Sequence, residues 1–238
     1  MFLPVIGAEV AGATSLYYRG FVPFGAQCDV TSLLTIPLLQ TAMVHSAYGW
    51  DRFCDVRAGG SNDAELKDYI AHHGNEVAVT TALSGLGSVM YLLSQEQYVP
   101  AVIFTVLTLG YRDIKEYLPT LKPFLIAIAL GYMSTILPDV IHGGDTGSLY
   151  ENFLSTSFAI AAGSINADID DKWEDAENGI NTIPVQYGQR YAYGVSSLLY
   201  LTSALVMHPS NWLGQGLRLL SLGQAGLSFI KSRIMPWV

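Results

Sequence analysis

Residues 149–188 read LYENFLSTSFAIAAGSINADIDDKWEDAENGINTIPVQYG, and the change of character near residue 167 sets the fold. From 149 to 166 the residues are mostly apolar or small, close to the roughly 20 that a helix needs to cross a bilayer core. From 168 to 177 acids crowd the chain. Asp168, Asp171 and Asp175 follow spacings of three and four, which on a helix puts their carboxylates on one face, with Asp170 and Glu174 off it. Like charges stacked at the edge of an apolar span are unfavourable without a cation. Magnesium suits them, because it takes hard oxygen ligands and is usually held by one or two carboxylates, water and substrate phosphates. A solvated acidic loop is the plainer reading. Gly179 and Pro184 predict that the helix stops before residue 179.

The same alternation of apolar run and short polar break extends in both directions. It predicts spans near 2–18, 29–49, 75–94, 98–111, 121–138, 149–166, 190–207 and 213–230, of which the first and fourth are short for a crossing. Half of the 238 residues are apolar and only 13% are charged, where an ordinary soluble domain carries about a quarter charged. The expected fold is all-α, a multi-span transmembrane bundle of about eight helices in contact with membrane lipid. It is expected to form a single domain over 1–238, with no separate soluble module. The opening MFLPVIGAEVAGATSLYY has no positive n-region, so it reads as a first membrane helix rather than a signal peptide.

Basic residues test this layout, since cytoplasmic loops are enriched in Lys and Arg. Arg52, Arg57 and Lys67 follow the second span, Arg112, Lys115 and Lys122 the fourth, Lys172 and Arg190 the sixth, and Lys231 and Arg233 the eighth. Only Arg19 and Arg218 break the alternation. Both acidic clusters then fall on the positive, cytoplasm-like side. The net charge of -8 and the lack of a basic stripe exclude nucleic acid as a partner. Cys28 and Cys54 form neither a disulfide framework nor a metal-binding spacing.

The other acidic cluster, in YGWDRFCD, holds Asp51 and Asp55 one helical turn apart. A solvated helix end partly neutralised by Arg52 would account for it alone. Asp171 and Asp175 repeat this pair at an offset of 120 residues, as a duplicated four-helix unit or two facing metal sites would.

The stretch from Asp168 to Gly188 resembles the second aspartate-rich motif of the UbiA-type intramembrane prenyltransferase superfamily. After the acids come Gly179, Thr182, Ile183, Pro184, Val185 and Gly188, in the family's order. The position of Asp51 and Asp55 at the end of the second span is similar to the first motif, although Ala47 and Tyr48 stand where the family has Asn-Asp and its Arg-Pro segment is absent. Tyr111, Lys115 and Lys122 lie near where the family keeps a Tyr and a Lys, on the loop between its fourth and fifth helices. The resemblance implies a UbiA-like bundle in which Asp51, Asp55, Asp168, Asp171 and Asp175 are catalytic ligands of Mg2+. It further implies an allylic prenyl diphosphate donor, a lipophilic, aromatic or otherwise nucleophilic acceptor, and transfer of the isoprenyl group within the membrane. Arg52, Arg57, Lys115 and Lys122 are the candidate diphosphate contacts. Bond cleavage puts negative charge on the leaving diphosphate, which metal ions and cations stabilise most in a site shielded from water.

Two further functions remain open on the same scaffold. One is a terpene cyclase, in which the cation is captured within its own chain. The other is a non-catalytic relative that binds a prenyl lipid, pigment or quinone, or serves as a subunit of a membrane complex. His45 is expected to pack between helices, and His72 and His73 to be solvated in a loop before the third span. Tyr48, Trp50, Phe53, Tyr132, Tyr150 and Phe153 could line a prenyl channel or serve as packing and interfacial aromatics.

Overall fold

The structure, a computed structural model, describes residues 30–59, 64–142, 149–208 and 212–235, and every element among them is helical. The predicted first span, with Arg19 and Cys28, lies outside the described residues. The chain divides between Ile114 and Lys115 into two compact units.

In the first unit α1 (Val30–Arg57) and α2 (Ala64–Ser94) form an antiparallel hairpin, followed by α3 (Tyr98–Tyr117). The hairpin closes on small residues. A Cβ at Gly49 would lie 2.5 Å from Thr81 Cγ2, and one at Gly85 would lie 2.5 Å from Ser46 Oγ. The buried stripe of α2 is Ile70, Gly74, Val77, Thr81, Ser88 and Leu92, while Leu83, Leu86 and Met90 are more than 60% exposed. After α2 the chain turns at Glu96, where Gln97 N–H donates to Leu92 O at 2.8 Å and Glu96 N–H to Leu93 O at 3.0 Å. This double-bonded helix end places Glu96 at φ 58°, a backbone conformation normally given to glycine.

Two expectations change here. Helix α2 begins at Ala64, so His72 and His73 lie on a helix and not in a loop, although both are exposed as expected. They meet Asp68 and Glu76 one turn away, at 3.4 Å and 3.1 Å. Tyr111 and Lys115 sit on α3, because that helix runs past residue 111 to Tyr117.

In the second unit α4 (Lys122–Gly131), a π turn (Tyr132–Ile136) and α5 (Leu137–His142) form one continuous run. Leu137 N–H donates to Tyr132 O, the five-residue bond of the wide turn. Pro138 explains it. Proline has no N–H, and its ring clashes with the carbonyl four residues back in a regular helix, so one wider turn just before it makes room. The hydroxyls of Ser134 and Thr135 donate to Leu130 O and Gly131 O at 2.5 Å and 2.7 Å and cover the carbonyls there. Asp139 follows and is buried.

The run packs antiparallel on α6 (Leu149–Asp170), which packs on α9 (Gln189–Val206), which packs on α10 (Trp212–Ile234). Short helices α7 (Lys172–Glu177) and α8 (Ile183–Tyr187) lie between α6 and α9. Gly131 abuts Ser157, with its own Cβ position only 3.4 Å from the Ser157 Cα. Hydroxyls bridge the helices: Ser155 Oγ donates to Ser203 O at 2.9 Å, Ser196 Oγ to Ala162 O at 3.2 Å and Ser197 Oγ to Ala225 O at 2.8 Å. Meanwhile Leu198, Leu205, Leu219 and Leu220 are each more than 60% exposed.

Apolar and hydroxyl-bearing side chains share the interior while leucines crowd the outside, and small residues with interhelical hydroxyl bonds are how helices associate in lipid. Two helical segments, Ala64–Ser94 and Lys122–Ile141, are long and apolar enough to cross a membrane.

Candidate functional site

At the acidic end of the second unit the helix is interrupted at a single residue. Helix α6 stops at Asp170, and Asp171 caps α7 with φ -87° and ψ 1°. The three aspartates therefore do not share one unbroken helical face, as their spacing predicted. Asp168 is buried with 2% of its surface exposed, Asp175 is half-buried and Asp171 is exposed. They nonetheless remain within electrostatic reach of one another.

Each residue of the motif that follows has a local structural task. Ile180 N–H donates to Asp175 O at 2.8 Å and Gly179 N–H to Ala176 O at 3.2 Å, a Schellman end that requires the positive φ of 71° found at Gly179. The chain folds back, and Thr182 Oγ1 donates to Asp175 Oδ2 at 3.1 Å. Thr182 then caps α8, Pro184 occupies its first turn where no N–H is needed, and Gly188 ends it at φ 85°. Ile165 and Ile169 of α6, Ile183 of α8 and Ala192 and Tyr193 of α9 form the apolar floor beneath.

Lys122, the first residue of α4, ion-pairs with Asp168 Oδ1 at 2.7 Å and is itself mostly buried. Asp168 Oδ2 is buried, and no hydrogen-bond donor among the described residues reaches it. Burial pushes the Asp168 carboxyl above its ordinary range. The Lys122 charge and hydrogen bond oppose the rise, Asp171 adds to it and Lys115 opposes it. Burial likewise raises Asp175, opposed by the Thr182 hydrogen bond and Lys122 and reinforced by Asp168 and Asp171. A cation placed beside these carboxylates would favour their charged forms.

The first unit holds the other acidic pair. Asp51 is buried and Asp55 half-buried on the last turns of α1. Arg52 Nη2 donates to the Tyr48 hydroxyl at 2.7 Å, and its guanidinium lies 5.0 Å from that ring centre. Tyr48 thus holds the arginine. Arg57 lies over Phe53 at 5.3 Å, and Trp50 stacks on Phe53 at 5.8 Å. Cys54 is a half-buried free thiol, raised by burial, opposed by Arg112 of α3, and raised further by Asp51 and Asp55. His45 Nε2 lies 3.4 Å from Thr80 Oγ1 of α2, the packing role expected of it.

No family model, curated protein or solved structure matches the chain.

Among the described residues no three His, Cys, Asp or Glu side chains come together as a group able to hold a metal. Magnesium is usually held through one or two carboxylates, water and phosphate oxygens, and does not need an all-protein cage. The orphaned Asp168 oxygen is the donor such a cation would meet. A cavity of about 270 Å³, lined by Ala159, Ile160, Tyr200, Leu220, Ser221 and Gln224, opens between α6, α9 and α10. Ile160 lies about 12 Å along α6 from Asp168, at 1.5 Å per residue.

Sequence reasoning took Lys122 as a diphosphate contact and did not find its pairing with Asp168. The signal was present: antiparallel helices put the start of one beside the end of the next, and each carries one charge of opposite sign there. Thr182 as a carboxylate partner and the burial of Asp139 were also missed. Backbone reversal at a Gly and burial beside a π turn leave no mark in a hydropathy pattern.

Proposed function

We propose that this chain is an integral, multi-pass membrane prenyltransferase of the UbiA type, using Mg2+ to move an isoprenyl group from its diphosphate to a lipophilic acceptor. The observation that carries the reading is Asp168: a buried carboxylate with one oxygen on Lys122 and the other without a donor among the described residues, beside Asp175 and a second lysine. Bound Mg2+ would supply charge to the leaving diphosphate. Asp168 and Asp175 would hold it, with Asp171 at the exposed rim. Lys122 and Lys115 would meet phosphate oxygens. The resemblance implies metal-ligand roles for Asp51 and Asp55 and phosphate contacts for Arg52 and Arg57. The cavity along α6 offers an apolar lining for a prenyl chain.

Purified chain with labelled farnesyl or geranylgeranyl diphosphate and a panel of lipophilic acceptors tests this. Magnesium-dependent diphosphate release is expected, falling at least about 100-fold in Asp168→Asn, the scale of losing one electrostatic contact to a transition state. No release from any donor would overturn the enzyme reading. Hydrocarbon or terpene alcohol without acceptor would instead identify a cyclase. Retention of the chain in membranes after alkaline carbonate washing checks the membrane assignment, and release into the wash would refute it.

A further inference from the structure

We propose that Lys122 is a resident substitute for the metal: its ammonium holds Asp168 until a magnesium-diphosphate arrives, then yields that carboxylate to Mg2+ and pairs with a phosphate oxygen instead. This rests on the proposed diphosphate site and specifies how that site is kept stable when empty of substrate.

Four features of Lys122 support an exchangeable partner over a permanent one. It contacts a single oxygen of Asp168, at 2.7 Å, although the other oxygen is also buried and has no donor among the described residues. An ammonium is a compact point charge on a flexible stem, which changes partners without the geometric penalty that a forked guanidinium would meet. Lys122 occupies the first turn of α4, where the helix dipole disfavours a cation and favours an anion. No side chain caps that helix end. Moving the ammonium from a carboxylate to an incoming phosphate thus keeps it paired, while the helix end gains a negative neighbour. Thr182, not a lysine, bonds Asp175, so that acid keeps its orientation throughout the exchange.

Metal binding without turnover tests the exchange. Mn2+, a paramagnetic stand-in for Mg2+, is titrated into the full chain in detergent and followed by electron paramagnetic resonance, with and without inorganic pyrophosphate. Without pyrophosphate, Lys122→Met is expected to bind Mn2+ at least about tenfold more tightly than the unaltered chain, because Asp168 no longer has a competing partner. With pyrophosphate, the unaltered chain should tighten markedly and Lys122→Met much less, its phosphate contact having been removed. Lys122→Arg, which holds the carboxylate with a fork, should bind the Mn2+-pyrophosphate pair about tenfold more weakly than the unaltered chain. The exchange is overturned if the unaltered chain binds Mn2+-pyrophosphate through Asp168 while Lys122→Met gains no Mn2+ affinity, or if Lys122→Arg binds as well as lysine. If the unaltered chain binds no Mn2+ even with pyrophosphate, or Asp168→Asn leaves binding intact, the diphosphate site itself fails and the exchange with it.

Discussion

Replacing Lys122 with methionine removes the charge while keeping most of the side-chain volume, and its effect on stability can be worked from the site. Asp168 is 2% exposed, so it would be left as a buried carboxylate with neither oxygen paired by a charge. Breaking a buried ion pair from one side costs about 3–5 kcal/mol. Three things reduce this here: Lys122 is 17% exposed, Lys115 remains within reach, and Asp168 can take up a proton. About 2–4 kcal/mol at mildly alkaline pH is the expected loss. The sign of the pH dependence follows from the raised carboxyl. A folded-state value above the ordinary 3.8 means that Asp168 contributes its full stability below that value, and the contribution is lost as pH rises through the folded value. Taking Lys122 away removes a charge and a hydrogen bond that hold the value down, so the loss in Lys122→Met extends to higher pH. The gap between the two proteins should therefore be small in acid and widen towards neutrality. Equilibrium unfolding of the full chain in mild detergent, followed by circular dichroism at about pH 5 and pH 8, measures it. A gap under about 1 kcal/mol at the higher pH, or an equal gap at both, would refute the reasoning. The double variant Lys122→Met/Asp168→Asn should recover most of the loss, since removing both partners of a pair costs far less than removing one.

Other perturbations test separate parts of the structure. Thr182→Val keeps the shape but removes the donor to Asp175, and should cost about 1–3 kcal/mol in unfolding measurements, as for a hydrogen bond to a charged group. Glu96→Gly relieves a positive φ at the end of α2 and should raise stability by about 1 kcal/mol, seen as a higher melting temperature. Gly131→Ala and Gly87→Ala should move melting in opposite directions. The first meets Ser157 and loses about 1–3 kcal/mol, and the second faces open space and gains about 0.5–1 kcal/mol.

Much of the helical layout was legible before any coordinates. Each predicted span from 29–49 to 213–230 falls mainly on a helix or continuous helical run, because apolar runs of that length have few other ways to satisfy their backbone. The helix ends were less legible. Hydropathy marks the apolar part of a helix, not its hydrogen-bonded limits, so the polar turns before Asn75 and after Tyr111 went unread. At the candidate site, Gly179 and Pro184 correctly signalled the end of the acidic helix. The break at Asp171 had no such signal, since an aspartate caps a helix as readily as it occupies a turn. Asp168 lies before this break and is buried, and Asp171 stands at it and is exposed.

The π turn at 132–136 has a bearing on Asp139 that burial alone does not express. One wide turn is equivalent to a single residue inserted into a regular helix. Winding the same residues as a regular α-helix would turn the downstream segment by about 100°, one residue's worth. Residues 137–142 would present a different face to α6, and Asp139 would swing away from the interior position it now holds. The orientation of that carboxylate is therefore a matter of register, set by the phase of the helix upstream of it.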